Sequence, residues 1–408
     1  MKKCLKYLYL GLLVIALAAV LGACRSDDPA PITPDTNEEA PPADTDPAPA
    51  DDDEEAPPAV SGMEPSEIQI ALIAHSPDSI LDDHSFNQGA WAGIQRFLST
   101  HGLPDGNARF FQPHVADDVA RIDMIADAIG GGANILVLPG FHFESSLYEA
   151  QDMFPDTKFI LLDASPTRIE EVDGERIFHV RIEPNVAAIH YAEEQSGFLA
   201  GYAAVMEGHR SLGFMGGIAV PAVVRFGHGF VQGAEHAAAA LGLEPGEVTI
   251  NYHYLGQFAP DPAFATMAAS WFHGGTEVIF AAAGGAGGSV MSGAESAGGL
   301  TIGVDVDQWH LSETVITSAI KALDVSVYDM LTDFMNNRFR SGAIRFDATN
   351  DGVGLAMGSA RFENFTQAQH DAIFAQLASG AVTVNPIVTP TFGDANLELN
   401  YVVVNEIG

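Results

Sequence analysis

From Ile68 onward, short apolar runs alternate with longer segments in which apolar residues recur every three or four positions. The first pattern suits a buried strand and the second a helix lying on a sheet, so the alternation predicts βαβ units and a parallel sheet. IQIALIA (68–74) leads to NQGAWAGIQRFLSTHG, ARFFQP (108–113) to DDVARIDMIADAIGGG, and NILVLPG (134–140) to ESSLYEAQDMFP; KFILLDA (158–164) ends this series. IFHVRIE (177–183) reads as one more strand before a long helix, NVAAIHYAEEQSGFLAGYAAVMEG. The rhythm then restarts with SLGFMGG (211–217), VTINYHYLG (248–256), EVIFAAAG (277–284) and LTIGVDV (300–306), the first three each followed by a helical segment. Residues 313–339 add a strand and a helix, and VGLAMGSARF (353–362) another strand. Two successive series predict two doubly wound α/β lobes with a hinge and a cleft between them, the chain crossing more than once. Lobe 1 is expected at 66–184 and 309–341, lobe 2 at 185–308 and 342–408.

The first 65 residues obey neither period. Lys2, Lys3 and Lys6 precede YLYLGLLVIALAAVLGA, which stops at Cys24. This is the layout of a secretory signal, with Leu21-Gly22-Ala23-Cys24 as a lipoprotein cleavage site. Residues 1–23 are therefore expected to be removed, leaving Cys24 diacylated and the protein anchored on the extracytoplasmic face of the cell membrane. An uncleaved span is the alternative, since the run approaches spanning length. Residues 24–65, dominated by Asp, Glu, Pro and Ala, cannot offset their ordering entropy and are expected to be a disordered tether. The chain has two cysteines, Cys4 and Cys24, so the mature protein has no disulfide and no thiolate chemistry.

Charge narrows the partners. A net −36 repels phosphates and nucleic acid and favours neutral or cationic ligands, although an acidic surface kept for solubility explains the total equally well. Beyond the signal only Lys158 and Lys321 remain among lysines, which makes their positions informative. In open α/β sheets the ligand sits outside the carboxyl ends of the strands. Aromatics, carboxylates and glycines recur there: HSFNQ, Pro139-Gly140-Phe141, Asp163, GGIAVPAVVRF, GQFAPD, AAAGGAGG and GVDVDQ. Gly285-x-Gly287, with Asp305 following 20 residues later, invites a dinucleotide reading. The third glycine position is Val290 and no catalytic constellation accompanies it, so a nucleotide-dependent enzyme is disfavoured. No HExxH, GxSxG or P-loop occurs, and neither metal nor cofactor is expected.

DHSFNQGAWAG, GFHFESSLYEAQDMFPDTKFILLDAS, EEQSGFLAGYAAVM, SLGFMGGIAVPAVVRFGHGFVQGAEHA, YLGQFAPD, EVIFAAAGGAGG, IGVDVDQ and VITSAIKALD occur in that order. Together they resemble the basic membrane protein family of ABC-transporter substrate-binding lipoproteins, whose members include purine nucleoside receptors. The resemblance implies a type I periplasmic-binding-protein-like fold, no enzymatic activity, an ABC permease as partner and a monomeric receptor. It also implies site residues: Phe86 as one ring of a base clamp, with Phe258 as the second or Phe226 in its place. Asn87 and Asp163 would read the base, and Asp305, Lys321 and the Gly285 backbone the ribose. Read from the residues alone, Phe86 is equally a core plug, Asn87 a helix cap, Asp163 a turn cap, Asp305 a solvated acid and Lys321 its counter-charge. Members often carry a larger polar residue where this chain has AAGGAGGSV, which leaves ribose-side selectivity and the exact ligand open; the alternative reading is a ligand-sensing lipoprotein for a sugar, an autoinducer or a cationic metabolite.

Overall fold

The structure, a computed structural model, describes residues 62–172 and 174–407. The expected signal, Cys24 and the tether up to residue 61 lie outside them. The last expected tether residues are ordered: Met63 N–H donates to Met335 O at 2.8 Å, and Pro65–Glu67 form a 3₁₀ turn.

The first sheet contains β1 (Ile70–Ile73), β2 (Ala108–Phe111), β3 (Ile135–Pro139) and β4 (Lys158–Leu162). After a separate antiparallel hairpin, β5 (Thr167–Val172) and β6 (Glu175–Val180), comes β7 (Val186–Tyr191). The second sheet contains β8 (Ser211–Gly216), β9 (Val248–Tyr254), β10 (Val278–Ala282), β11 (Leu300–Asp305) and β12 (Val315–Lys321). β13 (Gly342–Phe346), β14 (Val353–Leu355) and β15 (Val402–Glu406) complete the strands. Strand order is β13-β7-β4-β3-β1-β2 in one sheet and β14-β12-β11-β10-β8-β9-β15 in the other, all parallel apart from β14. Parallel sheets carry helices on both faces, which explains why β1, β3 and β10 are buried at every position. Alternation decides the face: Ile70, Leu72, Ile135 and Val137 join one core, Ala71, Ile73, Leu136 and Leu138 the other.

The helices among the described residues are α1 (Phe86–Thr100), α2 (Asp118–Gly130), α3 (Glu144–Met153), α4 (Glu193–Glu207), α5 (Pro221–Leu241), α6 (Pro262–His273), α7 (Ala286–Ala297), α8 (Leu323–Met335), α9 (Gln367–Ser379) and the single turn α10 (Phe392–Ala395). Three expectations need correction. Residues 185–208 are not one helix, because Val186–Tyr191 is a strand lying between β4 and β13; buried on both faces, its apolar run has no helical period to lose. Segment 177–183 is a strand over residues 177–180 only, and it pairs with β5 in the hairpin instead of joining either large sheet. The lobe boundaries move too: β7 and β13 belong to the first sheet and β12 to the second, so the crossings fall after Tyr191, Lys321 and Phe346 rather than at 184, 308 and 341.

Two crossings are built alike. Each is a strand, one alanine and a helix: β7, Ala192 (φ −88°, ψ 64°), α4; and β12, Ala322 (φ −76°, ψ 62°), α8. Ala192 N–H donates to Phe346 O and Ala322 N–H to Gly352 O, so the third crossing is bonded to both. Chain position makes Asp163, after β4, the counterpart of Asp305, at the end of β11.

Candidate functional site

The carboxyl ends of both sheets surround one cavity of about 700 Å³. Phe86, Asn87, Asp163, Phe226, Phe258, Gly285, Asp305 and Lys321 all line it. How each is held follows from its local chain.

Phe86 is the first residue of α1 and half-buried, packed partly against the core. The cap of α1 is neither Phe86 nor Asn87: the Asp83 carboxylate accepts from Ser85, Asn87 and Gln88 N–H at 3.0, 2.9 and 3.1 Å. Freed from capping, the buried Asn87 amide donates to Ile80 O at 3.0 Å and pins the loop before the helix. Phe226, on α5, is 2% exposed and packs edge-to-face on Phe280 at 5.8 Å, so it is the most core-like of the three rings. Phe258 stands in the loop after β9, its carbonyl accepting from Ala286 N–H at 2.8 Å. Its ring fills the place of a side chain at Gly217, where a Cβ would lie 2.4 Å from the ring.

Asp163 and Asp305 both have left-handed backbones, φ 61° and 66°, a conformation that aspartate tolerates better than most residues. Both point at Lys321. Its buried ammonium pairs with Asp163 Oδ2, lies 3.2 Å from Glu193 Oε1 and 3.8 Å from Asp305 Oδ1. The same ammonium is 5.1, 5.3 and 5.4 Å from the ring centres of Phe86, Phe226 and Tyr191. Asp305 also accepts from Ser85 Oγ at 2.6 Å, and Gln308 Nε2 donates to His84 O at 2.8 Å, two bonds joining the lobes. The expected division of labour, Asp163 for a base and Asp305 with Lys321 for a ribose, is thus a single ionic cluster. It extends inward: Arg225 Nε donates to Glu193 Oε2 at 2.6 Å, and Arg345 Nη2 to Glu194 Oε1 at 2.6 Å.

Burial pushes the Asp163 carboxyl up, to about 7; Glu193 adds to the rise and Lys321 opposes it. Burial alone would also raise Glu193, but Lys321 and Arg225 outweigh it and hold that acid at about 2. Burial would lower Lys321, yet Asp163, Glu193 and Asp305 keep it above its ordinary value and charged. Among the described residues three buried carboxylate oxygens of the cluster have no hydrogen-bond partner, Asp163 Oδ1, Glu193 Oε1 and Glu194 Oε2, and of these three acids Asp163 is the one that lines the cavity.

Glu193, Glu194, Arg225 and Arg345 were not nominated from the sequence, although two adjacent acids opening an otherwise apolar helix were a usable signal. His75 and His142 were also missed as a pair. They are 67 residues apart in the chain, yet their rings stack at 4.2 Å and 15° on the cavity wall, and the Phe141 ring lies against His142 at 4.0 Å, tilted by 33°. Among the described residues no group of three or more His, Cys, Asp or Glu could hold a metal ion, and no helix is long and apolar enough to cross a membrane.

Two α/β lobes joined by three crossings, with a cavity at their strand ends, make up a two-lobed architecture of the periplasmic-binding-protein type. A solved ABC transporter solute-binding protein from Conexibacter woesei shares this fold, with a TM-score of 0.62 over 78% of this chain and 99% of its own at 20% identity. The family model for ABC transporter substrate-binding proteins of the PnrA-like type, Bmp, matches residues 70–387. The chain belongs to that family, whose members bind solutes for ABC transporters and are not enzymes. Its relatives include the ABC transporter nucleoside-binding protein BmpA of Lactococcus lactis, 26% identical over 74% of this chain and 85% of that one. An uncharacterized lipoprotein of Pyrococcus furiosus is 26% identical over 70% of each chain.

Proposed function

We propose that this substrate-binding protein captures a purine nucleoside between its lobes, as a monomer anchored through Cys24, and delivers it to its ABC permease. The observation that carries the ligand is the unpartnered Asp163 Oδ1 on the cavity wall. A buried acceptor left unmade costs about 1–3 kcal/mol, and a ring or exocyclic N–H of a base answers it. Phe86 from one lobe and Phe258 from the other supply faces for a flat heterocycle, each worth roughly 1 kcal/mol beyond area burial. Lys321, the one cation on the wall among the described residues, is already engaged by three acids, so nothing there welcomes a phosphate. That the Lactococcus relative is named a nucleoside-binding protein supports the same choice.

The test is thermal unfolding with adenosine, guanosine, inosine, ribose, glucose and NAD, on the parent and on Phe86→Ala. Nucleosides raise the midpoint with concentration, a ligand at a hundred times Kd adding about 2.7 kcal/mol. Phe86→Ala keeps its unliganded midpoint within a few degrees and loses most of the nucleoside-induced rise. Stabilisation by a sugar with no response to any nucleoside rejects the reading.

A further inference from the structure

The cavity wall extends beyond the clamp and the ionic cluster to His75, Phe141 and His142. Its volume, about 700 Å³, lies in the upper part of the range for drug-sized ligands. The stacked rings of His142 and His75, with Phe141 tilted against His142, stand at the carboxyl ends of β3 and β1. In the sheet these strands follow β4, whose end leads directly into Asp163, so the shelf lies about 5 to 10 Å along the sheet from that acid. Ser79 Oγ is 3.0 Å from His75 Nδ1 and 3.0 Å from Ser76 Oγ, fixing the first ring. Arg121, behind the shelf, is turned away, donating to His75 O and to Asp118 Oδ1, both at 2.9 Å.

The chemistry of this end is selective. Burial holds both imidazoles below their ordinary range, His75 at about 4, with His142 and Arg121 reinforcing the drop, so the rings are uncharged at neutral pH. Asp78 and Glu144 line the same end. On the facing lobe Gly288 also lines the cavity, and a Cβ there would meet nothing within 4 Å, so that wall stays open.

We propose that this shelf is a second subsite, which receives a flat, uncharged or cationic substituent carried by the nucleoside. The preferred ligand is then a substituted nucleoside, not a bare nucleoside or a nucleotide. The inference rests on the nucleoside reading above and goes beyond it by assigning His75, His142 and Phe141 a role of their own. A ring on the substituent extends the existing stack, and donors on it meet imidazole nitrogen or carboxylate.

Isothermal titration of adenosine, N6-benzyladenosine, 5′-benzylthioadenosine and adenosine 5′-monophosphate against the parent, His142→Ala and His142→Phe tests it. For the parent, at least one benzyl compound binds about tenfold tighter than adenosine, and the monophosphate binds more weakly than adenosine. In His142→Ala the benzyl gain falls to about twofold or less while adenosine affinity stays within twofold; His142→Phe, which keeps a ring, retains most of the gain. If adenosine binds but neither benzyl compound gains, or the gain survives His142→Ala, the subsite is wrong and the nucleoside reading stands. If His142→Ala weakens adenosine as much as the benzyl compounds, the shelf serves the nucleoside itself and the inference fails. If no nucleoside binds, both fail.

Discussion

At the residue scale, the site turns on one lysine shared between two aspartates that are counterparts in the two lobes. A buried ion pair is weak evidence for stability, because desolvation of both charges offsets most of their attraction. What the Lys321 cluster provides is definition: it fixes Asp163 Oδ2 and leaves Oδ1 for something else. The raised carboxyl of Asp163 has a pH signature. A folded-state value of about 7, above the ordinary carboxylate range, gives stability that is full below about pH 4 and is lost as pH rises toward 7. Asp163→Asn removes that loss, so urea midpoints measured from pH 4.5 to 7.5 shift in favour of the variant as pH increases. A difference independent of pH means Asp163 is ionised throughout. Glu193, held at about 2, does not titrate in that window.

At the element scale, α4 and α5 are placed by a seam of glycines. A Cβ at Gly197 or Gly201 of α4 would lie 2.1 or 1.9 Å from the carbonyl oxygens of Phe226 or Phe230, and one at Gly229 or Gly233 of α5 would lie 2.2 or 1.9 Å from those of Glu194 or Phe198. The spacing of four puts each pair on one helix face, so the two backbones touch. That contact brings Arg225 against Glu193 and carries Phe226 to the cavity. Backbone cannot yield as a side chain can, so Gly201→Ala is expected to cost at least the 1–3 kcal/mol typical of overpacking, read from chemical denaturation. A cost below about 0.5 kcal/mol means the helices separate freely. The glycines were visible in SGFLAGYA and FGHGFVQGA, but spacing alone does not say which helix they meet.

At the scale of the whole molecule, three adjacent crossings permit the lobes to close on a solute, while Ser85 with Asp305 and Gln308 with His84 bond them on the cleft side. Lys321 joins the two scales, ending a crossing strand in the second sheet and pairing with an aspartate of the first. The full chain carries a net −36, and an excess of one sign repels itself. Screening that repulsion stabilises the compact form, so the thermal midpoint is expected to rise between 10 and about 150 mM salt, where the Debye length falls to about 8 Å. A midpoint that falls over this range would show that attractive pairs such as Arg181 with Asp152 outweigh the repulsion.

The sequence by itself determined the class of fold, because the periods of strand and helix are local and the burial of parallel strands on both faces leaves continuous apolar runs such as ILVLP. It also named, through the family resemblance carried by its motifs, eight residues that line one cavity, and the strand-end rule by itself nominated the segments that hold all of them except Lys321. It misplaced the crossings, because Val186–Tyr191 and Gly342–Phe346 become first-sheet strands through pairing with distant partners, and pairing is not written in either segment. It did not supply the relations that make a site: Lys321 with Asp163, Asp83 rather than Asn87 as the cap of α1, and His75 stacked on His142. Those depend on distances between residues far apart in the chain, which only the tertiary structure fixes.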